Sequence, residues 1–404
     1  MSHFSYMEKL LDGAEVEWKV LEDVVFFANG KGHEKVITEN GSYIVVNSKF
    51  ISTDGKVSKY SDEQLCPLSV DDILIVMSDL PNGKALAKTF IVDENDKYTL
   101  NQRIGAISVK NKKSLLPKFL NYVLNRTPSL TKYDNGVDQT NLKKGQILDV
   151  KIPIPCPNNP EKSLAIQAEI VRILDAFTAM TAELTAELNM RKKQYKYYRD
   201  QLLSFEDDEV EWKTLEEVAH FANGKGHEKD ISENGKFIVV NSKFISTDGL
   251  VAKYSDSQLC PLFKDDILLV MSDLPNGKAL SKTFIVDEDE RYTLNQRIGA
   301  ITVKDKSEMW PKFLHYYLDR TPQLLKHDNG VDQTNLRKGQ ILEVKVPILP
   351  LQKQEHIVSI LDKFDKLTKS LSEGLPHEIE LRQKQYEYYR ELLLSFPKSE
   401  EVTA

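Results

Sequence analysis

The sequence predicts a mixed α/β chain of the α+β kind. Two homologous globular domains alternate with two long antiparallel helices in a pseudo-two-fold arrangement. Three observations lead there. The stretch from Glu17 to Pro155 returns from Glu211 onward at an offset of about 194 residues, with roughly three quarters of aligned positions identical, which is a duplicated domain rather than a short-period solenoid. Each copy is followed by a long segment with helical apolar spacing. Within each copy, short β-branched runs alternate with turn signals, as in a sheet-containing domain.

The duplication is literal in places. ANGKGHEK occurs at Ala28–Lys35 and Ala222–Lys229, and IVVNSKFISTDG at Ile44–Gly55 and Ile238–Gly249. VMSDLPNGKAL occurs at Val76–Leu86 and Val270–Leu280, YTLNQRIGAI at Tyr98–Ile107 and Tyr292–Ile301, and DNGVDQTNL at Asp134–Leu142 and Asp328–Leu336. A chain carrying one domain twice is built to meet a target with two equivalent halves.

Strands are expected at Tyr43–Val46, Ile73–Met77, Thr89–Val92 and Ile104–Val109, separated by turns at 39–41, 53–55 and 80–83. A helix is expected over Pro117–Arg126, where Phe119, Leu120, Val123 and Leu124 form a stripe and Pro117 suits the first turn. The domain closes in an extended, proline-rich stretch, Lys151–Pro157.

From Ser163 to Leu203 neither Pro nor Gly appears, and Ile170, Ile173, Phe177, Met180, Leu184, Leu188, Tyr195, Tyr198 and Leu202 recur at steps of helical spacing. That predicts one helix of about 60 Å with a coiled-coil-like seam. A second runs from Gln352 to Phe396 through Ile357, Ile360, Leu361, Phe364, Leu367 and Leu371, with a break expected at Gly374-Leu375-Pro376. The two share their ends, RKKQYKYYRDQLLSF and RQKQYEYYRELLLSF, and two such seams bury each other best as a pair. The implied layout is an N-terminal segment 1–15, a first domain 16–157, a central helix 158–205, a second domain 206–350 and a C-terminal helix with tail 351–404.

At 404 residues, 41% hydrophobic and 28% charged, the composition is that of an ordinary globular protein. No stretch of about 18 apolar residues exists and the first residues lack a signal-peptide pattern, so a cytoplasmic protein without membrane association is expected. Cys66, Cys156 and Cys260 make no CxxC or Cys/His cluster; buried structural thiols are expected, with no metal and no cofactor. The net charge of −7 runs against free-standing nucleic-acid binding unless the charges segregate or partners supply a basic surface.

Catalytic motifs are missing. Gly30-Lys31-Gly32 lacks phosphate-loop spacing, there is no GxSxG and no HExxH, and no cofactor-binding or catalytic methyltransferase motif occurs. Glu17-Trp18-Lys19 is a bare Glu-x-Lys with no upstream aspartate on a strand. What remains is polar and kept in both copies: Asn29, Lys31, His33 and Lys35; Asn47, Ser48 and Lys49; Asn82 and Lys84; Asn101, Gln102 and Arg103; Asp138, Gln139, Thr140 and Asn141. Loops drift unless something holds them. Amide and guanidinium groups bond base edges, while Ser, Thr and Lys hold phosphates. The candidate DNA-binding residues are therefore Lys31, His33, Asn47, Ser48, Lys49, Lys84, Asn101, Gln102 and Arg103, with Lys225, His227, Asn241, Ser242, Lys243, Lys278, Asn295, Gln296 and Arg297 in the second copy.

This layout resembles the specificity subunit of type I restriction–modification systems, over essentially the whole chain. The strings that carry the resemblance are Thr140-Asn141-Leu142 with Ile152-Pro153-Ile154-Pro155, then Ile170-Val171 and Leu174-Asp175; and Thr334-Asn335-Leu336 with Val346-Pro347-Ile348, then Gln354-Glu355, Ile357-Val358 and Leu361-Asp362. The first copy departs by a Pro–helix junction about seven residues longer, and the helix bodies differ by about four residues around Gly374-Leu375-Pro376. The resemblance implies two target-recognition domains, no active site, and double-stranded DNA as target. It also implies two methyltransferase (modification) subunits as partners and motor–nuclease (restriction) subunits in the full complex. Tyr195, Tyr198, Tyr386 and Tyr389, at the helix ends, either cap the seam or help dock modification subunits. The alternative, favoured by the acidic balance, is a non-catalytic duplicated-domain scaffold for protein partners.

Overall fold

The computed structural model of the chain describes residues 4–81, 83–206, 210–227, 229–275, 277–370 and 373–397. Asn82 and Leu371 lie outside them. The chain divides into two compact units, 1–183 with 379–404, and 184–378. The boundary falls inside the central helix because its two halves pack on different globular domains.

In the first unit, helix α1 (Phe4–Leu11) leads into β1 (Val16–Val20), α2 (Leu21–Val24), β2 (Val25–Asn29), β3 (Ile37–Thr38), β4 (Tyr43–Val46) and α3 (Ser48–Ser52). There follow β5 (Tyr60–Ser61), β6 (Ile73–Val76), β7 (Ser78–Asp79), β8 (Thr89–Ile91), β9 (Tyr98–Leu100), β10 (Ile104–Val109), α4 (Pro117–Leu124) and α5 (Pro128–Thr131). The domain ends with β11 (Thr140–Asn141), α6 (Lys144–Leu148) and β12 (Lys151–Pro155), then the long helix α7 (Pro160–Leu202).

The central sheet has the order β2-β10-β6-β8 and is antiparallel throughout. Its inner strands β6 and β10 are buried on both faces, which is why they read as continuous apolar runs. Ile73, Ile75 and Ile107 face α4 and α7, where Phe119, Leu120, Ile166 and Ile170 fill the space. Leu74, Val76, Ile104 and Ala106 face a second sheet of order β3-β5-β4-β9, in which β4 and β9 run parallel. Phe50, Phe90 and Tyr98 meet edge to face there at 5.2–6.1 Å between ring centres. Phe119 is fully buried, so truncating it to Ala costs about 3–5 kcal/mol. The second copy repeats this: Ile267, Leu269 and Ile301 face one core, and Leu268, Val270, Ile298 and Ala300 the other.

The helices pair within each unit. In the first, Phe177 stacks on Tyr389 and Phe119 packs on Phe396, while Gln167 accepts from Leu116 N. Advancing along α7 therefore means retreating along helix Leu375–Leu394, an antiparallel pairing. In the second unit, Lys353 lies over Phe205 and Phe364 stacks on Tyr198, so the end of α7 runs antiparallel to helix Leu351–Lys369. Each globular domain is also held by a guanidinium from the end of a long helix. Arg390 donates to Tyr122 O and Asn125 O at the end of α4, and Arg199 to Tyr316 O and Asp319 O at the end of helix Pro311–Leu318. The same short helices are fixed further by Lys118 and Tyr122 on Asp175, and by Lys312 and Tyr316 on Asp362.

Two expectations need correction. The seam is well buried only through Ile166, Ile170 and Leu174, whereas Met180 is exposed and Leu184 and Leu188 are half-buried. Cys156 is buried, but Cys66 and Cys260 are only half-buried. Tyr195 and Tyr386 lie half-buried against the cores, Tyr195 beside Phe364 under Lys369, the packing that the seam-capping alternative describes. Tyr198 and Tyr389 are exposed at their edges while stacked on Phe364 and Phe177. The second long helix breaks between Lys369 and Leu375, as its Gly-Leu-Pro string predicts.

Candidate nucleic-acid interface

Five of the strings that the two copies share meet at one end of the central sheet. At that end β2 stops, β10 starts and β6 stops, because Gly105 pairs with Asn29 and Ile104 with Val76. Lys31 leaves β2 and bridges Asn101, with Lys31 N donating to Leu100 O at 3.1 Å. Gly30 is required there, since a Cβ would collide with the Asn101 carbonyl. Asn101 N donates to Val46 O at 3.2 Å, which brings in Asn47–Lys49. Met77 N donates to Arg103 O at 3.1 Å, and Leu142 N to Met77 O at 2.7 Å. Beyond Met77, β7 and β11 form a two-stranded antiparallel ribbon, tied further by Gln139 Nε2 on Ser78 Oγ at 2.8 Å.

The ribbon's loops are built by side chains. Asp79 accepts from Leu80 N at 2.9 Å through Oδ1, and from Ala85 N and Leu86 N at 2.7 and 3.0 Å through Oδ2. Gly83 N closes the turn on Leu80 O, and a Cβ at Gly83 would strike the Asp79 carboxylate. On the other loop, Asn135 Oδ1 accepts from Val137 N and Asp138 N, and Asp134 from Gly136 N. Asp273, Asn329, Asp328 and Gln333 repeat every one of these bonds in the second copy.

On this end, Lys31, Lys49, Lys84, Gln102 and Arg103 are exposed, as are Lys225, Lys243, Lys278, Gln296 and Arg297. Among the described residues, the ammonium or guanidinium groups of Lys31, Lys49, Lys84 and Arg103 have no protein partner, and the same holds for Lys225, Lys243, Lys278 and Arg297. The Asp79 carboxylate is turned into its own loop, so it does not neutralise them. Each domain thus gathers cations without ion-pair partners at one end, with the carboxylates of Glu34 and Asp138 on neighbouring loops. Asn47 and Asn241 are half-buried helix caps whose side-chain oxygens accept from Phe50 N and Phe244 N at 2.9 Å. Ser48 and Ser242 are half-buried; Ser48 Oγ reaches Ser78 O at 3.4 Å. Asn101 and Asn295 are half-buried, and Gln102 donates to Glu34 at 3.1 Å.

His33 and His227 are a correction. Both are buried, with Nδ1 against the carbonyl of Lys31 or Lys225 at 2.8 Å and Nε2 against Thr99 or Thr293 Oγ1 at 2.9 Å. A carbonyl only accepts, so the proton sits on Nδ1 and Nε2 takes the threonine hydroxyl. These histidines latch the lysine loop to β9 and its counterpart; they are not presented to a ligand. Glu17 and Lys19 pair with one another at 3.3 Å. Among the described residues, no group of three or more His, Cys, Asp or Glu residues could hold a metal, and no helix is long and apolar enough to cross a membrane.

Sequence reasoning missed Asp79 and Asp273 as loop organisers, and Leu80, Val137, Leu274 and Val331 as exposed apolar tips. The strict repetition of VMSDLPNGKAL and DNGVDQTNL was the available signal.

Comparison with known proteins agrees with this architecture. The family described as "Type I restriction modification DNA specificity domain" matches twice, over residues 14–191 and 207–381. The chain belongs to this family. It is 38% identical over 424 residues to the Escherichia coli "Type I restriction enzyme EcoR124I/EcoR124II specificity subunit", covering 100% of both chains. It is 31% identical to the EcoprrI specificity subunit of Escherichia coli, over 92% of this chain and 93% of that one. Among solved structures it is similar in fold to the S subunit of a type I restriction-modification system from M. genitalium, with TM-score 0.55, 18% identity, and 96% and 98% of the two chains covered. A chain from a study of complex assembly and conformational transition of the type I R-M system gives TM-score 0.57 at 15% identity, covering 94% and 98%.

Proposed function

We propose that this chain is the DNA-reading specificity subunit that directs type I methylation and restriction subunits to a bipartite, near-palindromic target. Family membership supports the DNA-specificity role, which carries no catalysis of its own. The observation that carries the finer reading is the convergence, in each domain, of the strings the two copies share. Positions that differ away from that end include Phe26/His220 at the far end of β2 and Leu116/Trp310 at the start of the α4-equivalent helices. Two domains with one reading surface read one short sequence, so a target made of two like half-sites is the one they fit.

The lysines and arginine without ion-pair partners on each surface favour DNA over a protein scaffold. The net acidic chain is then complemented by two modification subunits that cover more of the backbone, with motor–nuclease subunits joining for restriction. Electrophoretic mobility shift of the purified chain, with and without modification subunits, tests this reading. Sequence-selective retention of duplex DNA in at least the assembled form is expected. Failure of both forms to prefer any duplex, alongside stable capture of other proteins, would favour the scaffold.

A further inference from the structure

Leu80 and Val137 are 67% and 74% exposed, and their counterparts Leu274 and Val331 are 68% and 74% exposed. Single exposed apolar residues are ordinary. These differ in three ways. They are kept in both copies, whereas the comparably exposed Phe26 and Leu250 are His220 and Lys56 in the other copy. They stand on loops held rigid by Asp79 and Asn135, so their exposure is built rather than incidental. They also share one end of the ribbon, because Thr140 pairs with Asp79 and the chain leaves β7 at Leu80 and enters β11 from Gln139.

A two-stranded ribbon fits the major groove of B-DNA, and the one apolar group displayed there by a base pair is the thymine methyl. We infer that Leu80 and Val137, with Leu274 and Val331, are specificity-determining contacts to thymine 5-methyl groups in each half-site. Arg103 and Gln102, which flank the ribbon through Met77, supply the polar part of the same readout. The inference rests on the DNA-reading function proposed above and adds the chemical group that the tips recognise.

The test uses the chain assembled with its modification subunits, on duplexes carrying its own mapped target, with deoxyuridine replacing thymine inside the half-sites. This removes methyl groups and leaves every hydrogen-bonding atom in place. Binding by the natural chain should weaken roughly four-fold for each contacted methyl lost, the scale set by burying one methyl group. The variants Leu80→Ala with Leu274→Ala, and Val137→Ala with Val331→Ala, should bind thymine and uracil duplexes with more nearly equal affinity. Equal binding of both duplexes by the natural chain would overturn the inference, as would half-sites without thymine. Variants that weaken all duplexes alike while keeping the thymine preference would make the tips a sequence-independent wedge, also against it. A natural chain that still prefers its target over scrambled DNA keeps the DNA-reading function intact in each of these cases.

Discussion

Replacing Arg103 by Ala isolates the readout from the fold. The guanidinium is exposed and has no protein partner among the described residues, so its loss should leave stability within about 0.5 kcal/mol of the natural chain. The backbone carbonyl that orders Met77 is untouched by the change. A bidentate arginine–guanine pair is worth about 1–3 kcal/mol of discrimination, which is roughly 5- to 150-fold in affinity. Because Arg297 serves a separate domain, Arg103→Ala should relax one position of one half-site, and the double variant should add the two losses. Fluorescence anisotropy of the assembled complex on target and single-mismatch duplexes reads this, with salt titrations alongside. A base contact leaves the salt slope nearly unchanged, whereas a phosphate contact lowers it by about one. Equal weakening on target and random DNA with a reduced slope would refute the base-reading role of Arg103.

Two further outcomes follow from the same structure. Asp79→Ala leaves the buried Ala85 and Leu86 N–H groups without acceptors, so denaturant unfolding of the first unit should shift by about 3 kcal/mol, and the Leu80 loop should exchange amide protons faster. His315, which replaces the Asn121 of the first copy, has its imidazole pushed down to about 4, chiefly by removal from water. The folded state then binds the proton less readily than the unfolded chain, so the second unit loses stability as pH falls from about 6.5 toward 4, by up to about 3 kcal/mol. His315→Asn should flatten that dependence, read as chemical denaturation at pH 7 and pH 4.5; an unchanged slope would place the titration elsewhere.

Much of the fold was legible because its signals are local. The apolar runs at 73–76 and 104–109, the Pro-initiated α4 and the Pro- and Gly-free α7 each carry their period on their own residues. The polar clusters stood out in the sequence through their repetition in two copies. Their convergence did not, because bonds such as Asn101 N to Val46 O and Leu142 N to Met77 O join residues more than fifty positions apart. The same distance hid the role of His33, whose partner Thr99 lies 66 residues away and turns an apparent loop residue into a buried latch. Asn47 reads locally as a helix cap, yet its place in a polar string made it look free to bind DNA. Leu80 was placed in a turn by the Pro-Asn-Gly that follows it, but that it and Val137 share one exposed end appears only once β7 and β11 pair.

Mapping the methylated sites in cells that carry the intact system tests the central claim most directly. If two domains with one reading surface set the target, the modified sites share a bipartite sequence whose halves are the same few bases, inverted, around a fixed spacer. Two half-sites of unrelated sequence would contradict the account, because the polar surfaces shared by the two domains would then not be what reads the bases.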